Sequence, residues 1–122
     1  MWPPINDITT ELEQASDAQR RAYPYVQPLA LSVAPARAFD AALATARDMG
    51  LAIISADPAG GVITAVATTR LLRFKDDVTV RVRAQDGGSR IDVRSKSRLG
   101  RGDLGTNARR IRRFLETLRG RV

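Results

Sequence analysis

Between Phe74 and Arg98, apolar and polar residues alternate with a period of two on both sides of a single Asp86-Gly87-Gly88 break. That spacing belongs to a half-buried strand and cannot wind into an amphipathic helix. In the first arm, Phe74 to Ala84, the even positions Phe74, Val78, Val80, Val82 and Ala84 are apolar apart from Asp76, and Lys75, Asp77, Thr79, Arg81 and Arg83 are polar. In the second arm, Arg90 to Arg98, the odd positions Ile91, Val93, Ser95 and Ser97 are apolar or small, and Arg90, Asp92, Arg94, Lys96 and Arg98 are charged. The two apolar faces coincide only if paired residue numbers sum to an odd value, which requires a loop of even length. A Gly87-Gly88 turn sets Arg83 opposite Asp92, Asp77 opposite Arg98 and Arg81 opposite Arg94. An Asp86-Gly87 turn sets Arg81 opposite Asp92, Asp77 opposite Lys96 and Arg83 opposite Arg90. Cross-strand charge does not separate these registers, and the first is taken as the working expectation. In either, Asp76 and Asp77 fall on opposite faces and cannot act as a carboxylate pair on one substrate atom. Asp77 is expected to pair with Arg98 or Lys96. Asp76, among apolar neighbours, is expected to bond an Arg or backbone N–H groups.

The remaining elements assemble around this hairpin. Leu29 to Val33 reads as a short strand. Pro35 suits the first turn of a helix over Ala36 to Met49, with Phe39, Leu43 and Ala46 on one stripe and Gly50 as terminator. Leu51 to Ala56 and Val62 to Thr68 read as strands joined by Asp57-Pro-Ala-Gly-Gly61, each apolar on both faces. Thr69 to Arg73 reads as a loop whose Leu71 and Leu72 are expected to fold back on the core edge, the rival being contact with a membrane or partner. Residues 1 to 28, with four prolines, read as an extended arm outside the periodic core, with a short helix somewhere in Asp7 to Ala22, Thr9 or Thr10 capping it. Trp2, Tyr23 and Tyr25 are expected to pin the arm to the body, the rival being an exposed partner contact. The expected fold is α+β: a two-layer sandwich in the order strand, helix, four-strand antiparallel meander, helix, with both helices on one sheet face. The domain proper spans residues 29 to 122.

Composition excludes more chemistry than it suggests. The 122 residues contain no histidine and no cysteine, which removes imidazole bases, Ser-His-Asp and Cys-His arrangements, disulfides and the usual zinc sites. No cofactor or metal is expected. Carboxylate chemistry survives, so an enzyme using Asp76 or Asp103 beside an Arg is a third-ranked reading. No apolar run approaches the roughly 20 residues that cross a bilayer, and Met1 to Gln14 lacks the pattern of a secretory leader; the default expectation for this chain alone is the cytoplasm.

Charge is distributed unevenly. From Arg94 onward ten Arg or Lys face two acids, so the net +7 of the chain resides in its last 29 residues. Gly100-Arg-Gly-Asp-Leu-Gly105 is a literal G-x-G-x-x-G, but a dinucleotide fold needs a following helix and second parallel strand, and here the helix ends the sequence. Asp103 is expected to cap that helix, from about Leu104 to Leu118, with Leu104, Ala108, Ile111, Leu115 and Leu118 toward the sheet. Arg109, Arg112 and Arg113 cluster opposite this stripe, Glu116 pairing with Arg112 or Arg113 one turn on. Arg110 shares a flank with Asn107 and Phe114.

FKDDVTVRVR from Phe74 and RSKSRLGRGDLGTNARRI from Arg94, preceded by PPINDITT at Pro3, resemble domain-of-unknown-function family 1499, an uncharacterised bacterial family, over nearly the whole chain. The resemblance implies recurrent positions at Asp76, Asp77, Arg94, Ser95, Ser97, Arg98, Gly100, Asp103, Gly105, Asn107 and Arg110. It also implies a cell-envelope setting, since in many similar proteins the domain follows membrane-spanning helices, which this chain lacks. It supplies no activity.

The leading expectation is therefore a non-enzymatic envelope accessory or binding domain. Its basic sheet face and Gly-rich corner would contact an anionic lipid, polymer or acidic protein surface, with Arg81, Arg94, Lys96, Arg98, Arg101 and Arg110 as candidate anion contacts. Asp76, Asp77, Gly100, Asp103, Gly105 and Asn107 are expected to be structural. Nucleic acid ranks second, because the sheet face offers no aromatic side chains for base stacking.

Overall fold

The computed structural model describes residues 6–99 and 105–122. In chain order its elements are β1 (Asp7–Thr9), α1 (Asp17–Ala22), β2 (Leu29–Leu31), α2 (Pro35–Asp48), β3 (Ala52–Asp57), β4 (Val62–Thr68), β5 (Lys75–Gln85), β6 (Gly88–Ser97) and α3 (Thr106–Arg121), with a single 3-10 turn at Leu12–Gln14. The strands form one antiparallel sheet in the order β1-β6-β5-β4-β3, and β2 also pairs with β6. Helices α2 and α3 pack on each other and on the sheet, giving the α+β two-layer sandwich the pattern implies.

The parity of the central hairpin is as expected, with Val82 opposite Ile91 and Val80 opposite Val93. Val78, Val80, Val82, Ile91 and Val93 are buried together with Ile63, Ala65 and Ala67 of β4. Fully burying each such side chain is worth about 1.5–3 kcal/mol, whereas a cross-strand charge pair is worth roughly 0.2–1 kcal/mol. A one-residue slip would turn the whole set to solvent, so the apolar faces decide the parity.

The turn itself corrects the working expectation. Gln85 pairs with Gly88, and the pairs are Arg81 with Asp92, Asp77 with Lys96 and Arg83 with Arg90. The two-residue turn is Asp86-Gly87, both at positive φ (49° and 80°), the combination whose twist matches the flanking strands. Gly88 is needed in the strand instead. A Cβ there would run into the Leu31 carbonyl oxygen where β2 crosses the end of β6, a contact made by a segment more than fifty residues away.

Asp7–Thr9 of the supposed arm belongs to the sheet as β1, which is the second correction. β1 pairs with residues 94–96 of β6, and β2 with residues 89–91 of the same edge. Thr10 fills the gap between them: its N–H donates to the Val93 carbonyl at 3.0 Å, and its Oγ1 accepts from the Val93 N–H at 2.9 Å and donates to Asp92 at 2.7 Å. The outer edge of β1 is closed by the buried Gln19 amide, which bonds both the N–H and the carbonyl of Thr9 (3.1 and 2.7 Å). An exposed edge is thus satisfied by a side chain that imitates a neighbouring strand. Asp7–Thr9 is therefore not helical, and the short helix α1 is capped by Ser16, whose hydroxyl accepts from the Gln19 N–H. Tyr23 is buried, as its anchoring role requires, while Tyr25 stays half exposed beneath the Arg112 guanidinium, 5.3 Å from the ring centroid; Trp2 lies outside the described residues.

Helix α2 buries Phe39, Ala42 and Ala46 of the expected stripe, with Leu43 partly buried and Ala38 buried beside them, and ends before Gly50 at φ 80°. Helix α3 begins at Thr106 with Gly105 (φ 87°) in the cap position, so the cap is not the position expected, and Asp103 lies outside the described residues. Its buried face is Asn107, Ala108, Ile111, Phe114 and Leu118. Arg110, Asn107 and Phe114 share one flank, as the helical spacing implies, and that flank lies against the sheet. Leu71 and Leu72 are the third correction: they are 89% and 61% exposed instead of folded onto the core.

Candidate functional site

Five of the residues carrying the family resemblance meet between α3 and the sheet. Asp76 starts the inner face of β5, Ser95 and Ser97 project from the same face of β6, and Asn107 and Arg110 come from the first turns of α3. Arg110 Nη1 donates to Asp76 Oδ2 at 2.7 Å, to Ser95 Oγ at 3.1 Å and to Asn107 Oδ1 at 2.9 Å. Ser95 Oγ also bonds Asn107 Oδ1, and Asn107 Nδ2 donates to Ser97 Oγ at 2.9 Å. Asp76 and Arg110 are nearly enclosed, with side chains 3% and 12% exposed. The cluster locks the helix to the strand ends with its polar groups paired. Arg110 is therefore spoken for inside the molecule and is not available to an external anion.

The opposite sheet face carries the rest. Arg94 grips Asp7 of β1 with two bonds of 2.8 and 2.6 Å, and Arg98 forks onto Asp77 at 3.0–3.2 Å. Arg90 holds the buried Asp92 at 2.8 Å. The bond to Asp92 raises the Arg90 guanidinium above its ordinary value, as Asp7 does for Arg94 and Asp77 for Arg98. Glu11, on the segment after β1, reaches over the sheet and takes Arg83 at 2.6 Å, with Arg81 at 3.8 Å from the same oxygen. The expected continuous cationic surface is in this way largely neutralised by internal carboxylates. Arg98 still finds Asp77 although the strand register pairs Asp77 with Lys96, because the long guanidinium reaches diagonally.

What remains open is a shallow cleft of about 210 Å³, lined by Thr9, Glu11, Gln14, Thr79, Arg81 and Arg94 among others. Arg81 is half exposed. Of the sheet-face arginines Arg81, Arg83, Arg90, Arg94 and Arg98, it is the one without a carboxylate at hydrogen-bond distance. Lys96 projects from the same face and is exposed. Arg101 and Gly100 lie outside the described residues, and Gly105 serves as the first residue of the α3 cap. Glu11 and Gln14 were not foreseen as part of this surface. Glu11 and Gln14 are brought there by the pairing of β1 with β6, for which the local pattern holds no signal; Arg83 was legible from its alternation.

Among the described residues no three carboxylates converge as a metal site would require, and none of their helices is long and apolar enough to cross a membrane. A family model described as "Protein of unknown function (DUF1499)" matches residues 5–118. The chain belongs to the DUF1499 family. No curated protein matches it. One similar solved structure, titled "Crystal structure of Ara h 8.0201", aligns over 77% of this chain and 93% of that chain at 14% identity with a TM-score of 0.40. The described residues on which the sequence resemblance rests divide by layer: Asp76, Ser95, Ser97, Asn107 and Arg110 build the buried cluster, and Asp77, Arg94 and Arg98 build ion pairs of the open face.

Proposed function

We propose that this DUF1499 domain is a non-enzymatic binding module that holds an anionic group of a partner, on a lipid, a polymer or an acidic protein surface, in the cleft over Thr79. Arg81 is the principal contact. The observation that carries this reading is the asymmetry at Glu11: Arg83 takes its carboxylate at 2.6 Å and leaves Arg81 at 3.8 Å, half exposed and facing the cleft. A guanidinium with spare donors beside threonine hydroxyls suits a phosphate, sulfate or carboxylate oxygen. Asp76, the carboxylate most suited to catalysis by its burial, is already engaged by Arg110, which favours binding over an enzymatic role. Nucleic acid is disfavoured, since β5 and β6 turn Thr79 and charged residues, not rings, toward this face. A bacterial cell-envelope setting is part of the proposal, supported by the residues that resemble envelope-associated relatives.

The test is an NMR titration of the labelled protein with glycerol phosphate and with polyphosphate at 20 and 150 mM salt. Shifts centred on Gln14, Thr79 and Arg81, weakening several-fold at the higher salt and lost in Arg81→Gln with the melting temperature retained, are expected. Shifts that survive in Arg81→Gln, or none with either probe, overturn the assignment. Membrane and soluble fractions of cells carrying a tagged copy test the envelope setting.

A further inference from the structure

A second surface lies at the end of the sheet where β4 finishes, β5 begins and β6 finishes. Thr68 pairs with Lys75 and Asp76 with Ser97, and the Arg98 N–H donates to the Lys75 carbonyl. The loop 69–74 and the start of the β6–α3 connection therefore leave from the same edge. The first carries Leu71 and Leu72 and the second Leu99, which is 54% exposed.

The loop is built to hold its leucines outward. Thr69 N–H donates to the Phe74 carbonyl at 2.8 Å, Arg73 N–H to the Thr69 carbonyl at 3.1 Å, and Phe74 N–H to Thr69 Oγ1 at 2.8 Å. Arg73 sits at φ 57°, a left-handed conformation that costs a non-glycine residue free energy and persists only where its surroundings impose it. A hydrogen-bonded turn with one left-handed residue thus carries two leucines exposed to solvent.

The surroundings of those leucines identify what they meet. Arg70 and Arg73 flank them in sequence, Lys75 follows, and among the described residues no carboxylate lies within 4.0 Å of any of the three. Three leucines fall far short of the roughly 800 Å² per partner that a stable protein interface buries. Apolar tips ringed by basic side chains suit the boundary between headgroups and acyl chains of an anionic bilayer, the leucines entering the acyl region and the cations meeting lipid phosphates. We propose that the 69–75 tip, with Leu99 beside it, is a membrane-surface anchor for anionic lipid. This surface is separate from the cleft, and either proposal can fail alone.

Because the chain has no cysteine, Leu72→Cys gives a single attachment point for an environment-sensitive dye. The dye's emission is expected to shift to the blue with phosphatidylglycerol-containing vesicles and not with pure phosphatidylcholine. In co-sedimentation of the unlabelled protein, Leu71→Ser/Leu72→Ser is expected to weaken partitioning about tenfold or more without lowering the melting temperature. Arg70→Gln/Arg73→Gln is expected to erase the preference for the anionic vesicles. No binding to anionic vesicles, equal binding to neutral ones, or unchanged partitioning of the leucine variant overturns the proposal. Partitioning that depends on Arg81 but not on the leucines does so too, and assigns the lipid contact to the cleft.

Discussion

Arg110–Asp76 and Arg94–Asp7 are the same two side-chain types at almost the same separation, 2.7 and 2.6 Å, on opposite sides of one sheet. The first lies under α3 with both side chains nearly enclosed, and the second has them 49% and 34% exposed. Water decides the difference between them. A charge left unpaired under the helix cannot be rehydrated, so removing either partner is expensive, while the outer pair exchanges one partner for solvent at small loss. Equal geometry in two layers gives one pair that fastens a helix and one that shapes a surface.

The sharpest way to break this comparison is Asp76→Ala. It strands the Arg110 charge and should cost about 3–5 kcal/mol, or roughly 10–20 °C in melting temperature, read by urea and thermal unfolding. A loss below about 1 kcal/mol would put the inner pair in the same class as the outer one, within the range of exposed pairs. Thr10→Val comes next, because the hydroxyl serves both Asp92 and the Val93 N–H; leaving them unsatisfied should cost about 1–3 kcal/mol. Arg94→Gln should cost only ~0.2–1 kcal/mol, less still in 0.5 M salt, whereas salt should leave the Asp76→Ala deficit in place. A double-mutant cycle on each pair separates pairwise coupling from the cost of stranding a charge.

The smallest effect concerns pH. The Arg90 and Arg94 values are raised in the folded protein, chiefly by hydrogen bonds to Asp92 and Asp7. Their contribution to stability is complete below the unfolded value and is lost only as pH climbs through the folded one, in strongly alkaline solution. The stability gap between the parent and Arg94→Gln should accordingly stay constant from pH 7 to 10; a gap closing in that window would mean that another group controls the pair.

Much of this architecture could be read from local pattern. The period of two placed Val78, Val80 and Val82 inside and separated Asp76 from Asp77, because burying a valine outweighs any cross-strand charge preference. The prediction that Asp76 finds an Arg followed from burial, since a carboxylate among apolar neighbours needs a cation. The Arg112–Glu116 pair, 3.0 Å apart, followed from helical spacing. The basic face was legible as a set of arginines but not as a surface, because Asp7 and Glu11 come from a segment more than seventy residues away from their partners and no periodicity announces them.

The amino-acid order alone determined which residues of the central hairpin face inward, since that depends on neighbours two positions apart and on the free energy of removing apolar groups from water. Only the folded chain decided the turn register, through the approach of Leu31 to Gly88, and the fate of the arginines, through the docking of β1 beside β6. Those outcomes depend on distances between segments remote in sequence. Composition supplied the charges; three-dimensional contact determined which of them, Arg81 foremost, were left facing the cleft.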